Sequence, residues 1–216
     1  MTRRLANRPP RRAFGFTLLE LLLAAGFGVV FCVGLLQLLL GDLRLTASLA
    51  QRLQSRRQQQ RALALMRAER DLGHGVIANP SPSISWPCSL AGRRPVLAIA
   101  LSANDPEARE QAIVYSVGAA PSTIWRGHVL MRCGPAYGLH GSLAAGGKAL
   151  NRVLIDGLEE KPPLWQGCAS LLGPAAAGAI DLNGSSALAF SACMDPHGAL
   201  IGLRLAQAEL LVAGAF

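Results

Sequence analysis

Glu20 is the side chain whose placement most demands a chemical reason. It lies in the apolar stretch 16–40, where Gln37 is the only other strongly polar residue. A carboxylate at the centre of a bilayer costs about 2.5–3.5 kcal/mol on insertion scales, so such a group marks a functional position by default. The plainer reading is that it snorkels to the headgroups from the helix start. Cysteines form the second chemically capable set. Cys32 falls inside the apolar stretch and is expected to pack as a small hydrophobe. Cys88, Cys133, Cys168 and Cys193 lie further along at separations of 45, 35 and 25 residues, with no CxxC among them. That spacing argues against a zinc site. An even number in an exported segment suggests two disulfides. Three pairings are open, and the favoured one is Cys88–Cys133 with Cys168–Cys193, the second tying a loop-rich section to a strand.

His74, His128, His140 and His197 are scattered, without HExxH or an acid at ligand spacing. His74 and His197 sit in turn-forming surroundings. No GxSxG elbow, phosphate loop or GxGxxG occurs, so no catalytic residue, metal or cofactor is expected. Trp86, Trp125 and Trp165 are expected to anchor the core or its surface.

The elements that carry these residues begin with the stretch 16–40. Its 25 residues make roughly 37 Å of helix, enough to cross a hydrocarbon core of about 30 Å. Arg3, Arg4, Arg8, Arg11 and Arg12 precede it, which keeps 1–15 cytoplasmic and sends the C-terminal part outward. Charge is uneven: residues 1–15 carry +5, 16–40 carry −1, 41–72 carry +4 and 73–216 carry none, within a total of +8. A basic nucleic-acid-binding head is therefore not supported. A secretory signal peptide would not need fifteen further apolar residues after Leu23-Ala24-Ala25. A lipoprotein reading fails because Cys32 comes directly after Phe31.

The run Arg11-Arg12-Ala13-Phe14-Gly15-Phe16-Thr17-Leu18-Leu19-Glu20 resembles the processing site of type IV prepilins and pseudopilins. The resemblance implies cleavage between Gly15 and Phe16, N-methylation of Phe16, and a new amine one helical turn from Glu20, which would serve assembly. In lipid, an opposite-charge pair of this kind offsets part of the desolvation of each ion. The family's usual mid-helix proline is missing, since none occurs between Phe16 and Asn79.

Helical composition continues through 41–72, free of proline and glycine from Asp42 to Leu72, with Leu45, Leu49 and Leu53 on one stripe. The seven arginines of this stretch read as a solvated face, or else meet anionic headgroups or neighbouring subunits. Residues 73–216 read as a β-rich head, with strands expected at 95–101, 112–117, 122–126, 128–132, 152–156, 187–193 and 199–212. The segments 113–117, 124–126 and 152–158 are similar to a pattern of PilW- and GspJ-type minor pilins. The expected fold is thus α+β and pilin-like. A cleaved leader (1–15) precedes a membrane and assembly helix (16–40), its amphipathic continuation (41–72) and an antiparallel β-sheet head (73–216).

The resemblance implies a minor pilin or pseudopilin, made as a single-pass inner-membrane prepilin and then part of a periplasmic or surface filament. Its partners would be a prepilin peptidase, other pilins and an inner-membrane assembly platform. Nucleic acid would be met only indirectly, through a DNA-uptake pilus. The alternative is a membrane-anchored, exported ligand-binding domain that joins no filament.

Overall fold

The structure, a computed structural model, describes residues 17–82, 85–102, 111–144, 148–162, 167–183, 188–198, 200–206 and 208–213. It is α+β: a 55-residue helix, α1 (Leu18–Leu72), precedes nine strands among the described residues, arranged in antiparallel sheets. The chain divides into two units, Met1–Arg52 and Leu53–Phe216.

In the first unit the described side chains of α1 are all exposed, including Phe27, Phe31 and the leucines from Leu18 to Leu40. A continuous apolar surface of this kind belongs in lipid or against another protein, not in water. This part of α1 is long and apolar enough to cross a membrane and fits a membrane anchor.

In the second unit the same helix becomes amphipathic. Ala62, Leu63, Met66 and Glu69 are buried at steps of one to three residues, so they share one face. The helix stops where the Gly73 amide donates to the carbonyls of Glu69 and Arg70, at 3.0 and 3.1 Å. The His74 amide then donates to the Ala100 carbonyl at 2.9 Å, and the chain enters the first sheet.

That sheet holds β1 (Gly75–Ile77), β2 (Arg94–Ala100), β3 (Ala112–Ala119), β4 (His128–Gly134) and β5 (Leu150–Leu158), in sequence order and antiparallel throughout. The second sheet orders β6 (Ile180–Asp181), β7 (Phe190–Met194), β8 (Leu200–Leu205) and β9 (Ala208–Ala213) in the same way. A hydrogen bond of 2.7 Å from the Asn79 amide to the Leu182 carbonyl links the chain just beyond β1 to that just beyond β6.

Both sheets are covered on both faces. The inner faces share one core with Leu63 and Met66, built from Ile99, Ile113, Tyr115 and Leu130 on one sheet and Phe190, Ile201, Leu203 and Leu205 on the other. Behind the first sheet, Trp86 and Leu90 cover Ala98, Ala112 and Val114. Behind the second, α2 (Cys168–Leu172) places Leu171 and Leu172 beside Cys193. Gly202 makes that last contact close: a Cβ there would lie 3.1 Å from the side chains of both leucines. Two-faced burial explains why β2 and β3 read as unbroken apolar runs instead of alternating ones.

Two expected strands differ. Residues 122–126 form the exposed β3–β4 loop, tightened by a bond from the Trp125 amide to the Ser122 carbonyl. Its apolar pair Ile124-Trp125 lies in an exposed loop, and the next residue, Arg126, accepts a hydrogen bond from the Gly157 amide of β5 at 2.6 Å. The single strand expected at 199–212 is two, because Ala206 takes a φ of 51° and turns the chain into a β8–β9 hairpin. The remaining departures are short elements without a periodic signal, namely β1, β6 and α2. Trp86 is buried in the outer-face core and Trp125 is partly exposed, while Trp165 lies outside the described residues.

Gly73 is the tightest joint between helix and sheet. A Cβ there would collide with Cγ2 of the fully buried Ile99 and sit 3.0 Å from the Ala100 carbonyl oxygen. Gly73→Ala is expected to destabilise the protein by about 1–3 kcal/mol, as overpacking does. Chemical denaturation monitored by circular dichroism checks this, and an unchanged midpoint would show that the joint yields.

Candidate functional site

Three features hold the residues with chemical potential: the start of α1, a buried charge cluster at its end, and the two bridges behind the sheets. The expected cleavage and methylation positions, Gly15 and Phe16, lie outside the described residues. Glu20 stands exposed in the first turn of α1. The Thr17 hydroxyl accepts from the Glu20 amide at 3.3 Å, and the Glu20 carboxylate accepts from the Thr17 amide at 3.4 Å. This is a reciprocal capping box, with the carboxylate also at the positive end of the helix dipole. Glu20 therefore has a local role in starting the helix, besides any role toward a partner.

The buried cluster did not emerge from the sequence. Glu69 is 0% exposed, and its Oε1 accepts from Nε of Arg132 at 2.6 Å and from the Tyr137 hydroxyl at 2.7 Å. Oε2 accepts from the Tyr115 hydroxyl. Tyr115 and Arg132 face each other across the β3–β4 ladder, and the guanidinium carbon lies 5.3 Å from the centre of the Tyr137 ring. Three elements thus converge on one carboxylate: α1, the β3–β4 pair and the loop after β4. Burial, and then the Glu69 charge, push the Tyr115 hydroxyl well above the usual tyrosine range. Burial, and then its hydrogen bond to Glu69, raise Tyr137 as well.

Chemically this arrangement is a clamp, because the carboxylate oxygens are already engaged by three donors and have no path to a substrate. The signal for it is one of phase. Arg132 shares the inward phase of Leu130, and Glu69 comes three residues after Met66 on the buried face, so opposite charges occupy core positions on two elements.

The disulfides are Cys88–Cys133 and Cys168–Cys193, with Cα–Cα distances of 5.9 and 5.6 Å. Each fastens the segment that covers the outer face of one sheet. Cys32 is a free thiol, exposed on the apolar part of α1. The histidines do not gather, and among the described residues no group of three or more His, Cys, Asp or Glu side chains could hold a metal ion. Disulfides fit a head that resides in an oxidising, non-cytoplasmic compartment. Compared with known proteins, the chain matches no family model, no curated protein and no solved structure.

The clamp leads to two expected outcomes. Arg132→Met leaves Glu69 buried without its cation and is expected to cost about 3–5 kcal/mol, whereas Glu69→Gln with Arg132→Met together cost less than the two single changes summed. A double-mutant cycle in urea measures this, and simple additivity would show that the pair is uncoupled. The second outcome concerns pH. The tyrosine hydroxyls are raised above their ordinary value of 10.0, so the unfolded chain releases these protons first. Their contribution is present below about pH 10 and is lost as pH rises through the higher folded values. The urea midpoint is expected to fall above pH 10, and less steeply in Tyr115→Phe; equal slopes would remove Tyr115 from the account.

Proposed function

We propose that this chain is a minor pilin or pseudopilin: a single-pass inner-membrane precursor, cut between Gly15 and Phe16 by a prepilin peptidase, that joins or initiates a filament outside that membrane. The observation that carries this reading is the division of labour along α1. Its first part is apolar and exposed on every side, with a carboxylate in its first turn, while its last turns are built into a disulfide-bonded β head. Beyond its use as a cap, the Glu20 charge is costly wherever it enters the hydrocarbon. In an assembly, the Phe16 amine freed by cleavage of a neighbouring pilin offers that charge a partner. The head adds no catalytic constellation among the described residues, and its role is contact with other subunits and with whatever the filament meets.

A second reading, a membrane-anchored exported binding domain, is favoured by the capping box, which gives Glu20 a purely local use. Glu20→Ala separates the two. As a filament subunit, the variant persists in the membrane but no longer co-purifies with assembled pilins. As an anchor alone, it differs from the native chain only by a cap worth about 1 kcal/mol.

Intact mass and N-terminal sequencing of the protein from its own membrane, with and without prepilin peptidase activity, test the processing directly. The expected product begins at N-methyl-Phe16 and requires the peptidase. A chain that keeps residues 1–15 would overturn the assignment.

A further inference from the structure

Four buried side chains among the described residues carry a polar atom without a partner: Gln59, Arg93, Arg132 and Asn183. Three of them are engaged through their other atoms. Gln59 donates to Ser55, Arg132 to Glu69, and Asn183 to the Phe190 carbonyl. Arg93 differs. It is only 4% exposed, its Nε is unpartnered, and its guanidinium makes no side-chain hydrogen bond or ion pair among the described residues. A buried N–H left without a partner in a folded protein calls for an explanation.

Arg93 borders a cavity of about 350 Å³ behind the first sheet. The other walls include Pro82, Ser85, Trp86, Ser89 and Leu90. The segment is held in several ways. Cys88 is bridged to Cys133, the Trp86 indole donates to the Ser81 carbonyl at 3.0 Å, and Asn151 donates to the Ser89 carbonyl at 2.8 Å. The Arg93 amide itself closes a turn onto the Leu90 carbonyl at 3.0 Å.

We propose that this cavity is a binding site for a small carboxylate with an apolar body, taken either as a free organic acid or as the C-terminal residue of a polypeptide. The volume is near the lower end of the range for small-molecule pockets, about 300–1,000 Å³, and suits a group the size of one amino acid. A guanidinium presents a planar fork that matches a carboxylate with two parallel bonds. Its single positive charge balances a monoanion, whereas a phosphate dianion would stay half uncompensated beside it. Trp86, Leu90 and Pro82 supply the apolar wall for the rest of the ligand, and Ser85 and Ser89 bring hydroxyls. Burial also lowers the affinity of Arg93 for its proton, a cost that an arriving anion relieves. The site stands apart from the proposed filament role and does not depend on it.

The test is a titration of the full chain in detergent micelles, monitored by the NMR signal of the Trp86 indole N–H. The probes are N-acetyl-leucine and its neutral counterpart N-acetyl-leucinamide. The acid is expected to give a saturable shift with a Kd below about 10 mM, and the amide to bind at least about tenfold more weakly. Arg93→Met is expected to lose the acid preference while keeping its thermal midpoint, since no side-chain partner of Arg93 among the described residues is lost. Comparing the native chain's response to acid and amide decides the matter even if that variant does not fold. Tighter binding of a tripeptide ending in leucine than of N-acetyl-leucine assigns the site to polypeptide C-termini, and equal or weaker binding assigns it to free acids. No saturable shift with the acid, or equal affinity for acid and amide, would overturn the proposal.

Discussion

The fold turns on one buried carboxylate. Glu69 comes from the last turn of α1, and its partners come from β3, β4 and the loop beyond β4. Taking a charge out of water is tolerable only where opposite charge and hydrogen bonds wait for it, and here three donors converge. Because successive residues on a helix point about 100° apart, this convergence selects one rotation of the helix end against the sheet. Hydrophobic packing of Leu63 and Met66 would accept several nearby rotations at similar energy, whereas the ion pair does not. Polar specificity is thus added to an apolar core that is itself permissive.

The second constraint is the covering of sheet faces. A sheet with a solvated face could have kept polar residues there, but β2 and β3 are apolar on both sides and need a lid on each. The inner lid is common to both sheets and includes the helix. The outer lids are different structures, an irregular loop with Trp86 and a five-residue helix, each held by one disulfide. A bridge closing a loop of this length contributes roughly 3–4 kcal/mol on a chain-entropy account.

Much of this is legible in the residues. Unbroken helix-forming composition locates α1, the glycines after Leu72 mark its end, and Gly, Pro and Asn clusters bound most strands. The loop at 122–126 reads as a strand because β-type residues, Ile124 and Trp125, occupy an exposed tip where packing never consults propensity. The β8–β9 turn is hidden because Ala206, which holds a positive φ there, carries no turn signature. Glu69 and Arg132 each look like ordinary surface charges, since their meaning lies in a pairing across 63 positions of sequence. The cavity beside Arg93 is invisible for the same reason: the absence of a counter-ion is a property of three-dimensional surroundings and leaves no trace in composition.

Both lids are bolted by bonds that form only where thiols are oxidised. While Cys88, Cys133, Cys168 and Cys193 are reduced, the segments over the outer faces of both sheets lack these fastenings. The Cys88–Cys133 bridge also borders the chamber around Arg93, whose wall includes Cys88. The unoxidised chain thus lacks its finished outer surface. Fastening of that surface is coupled to the redox chemistry of its surroundings.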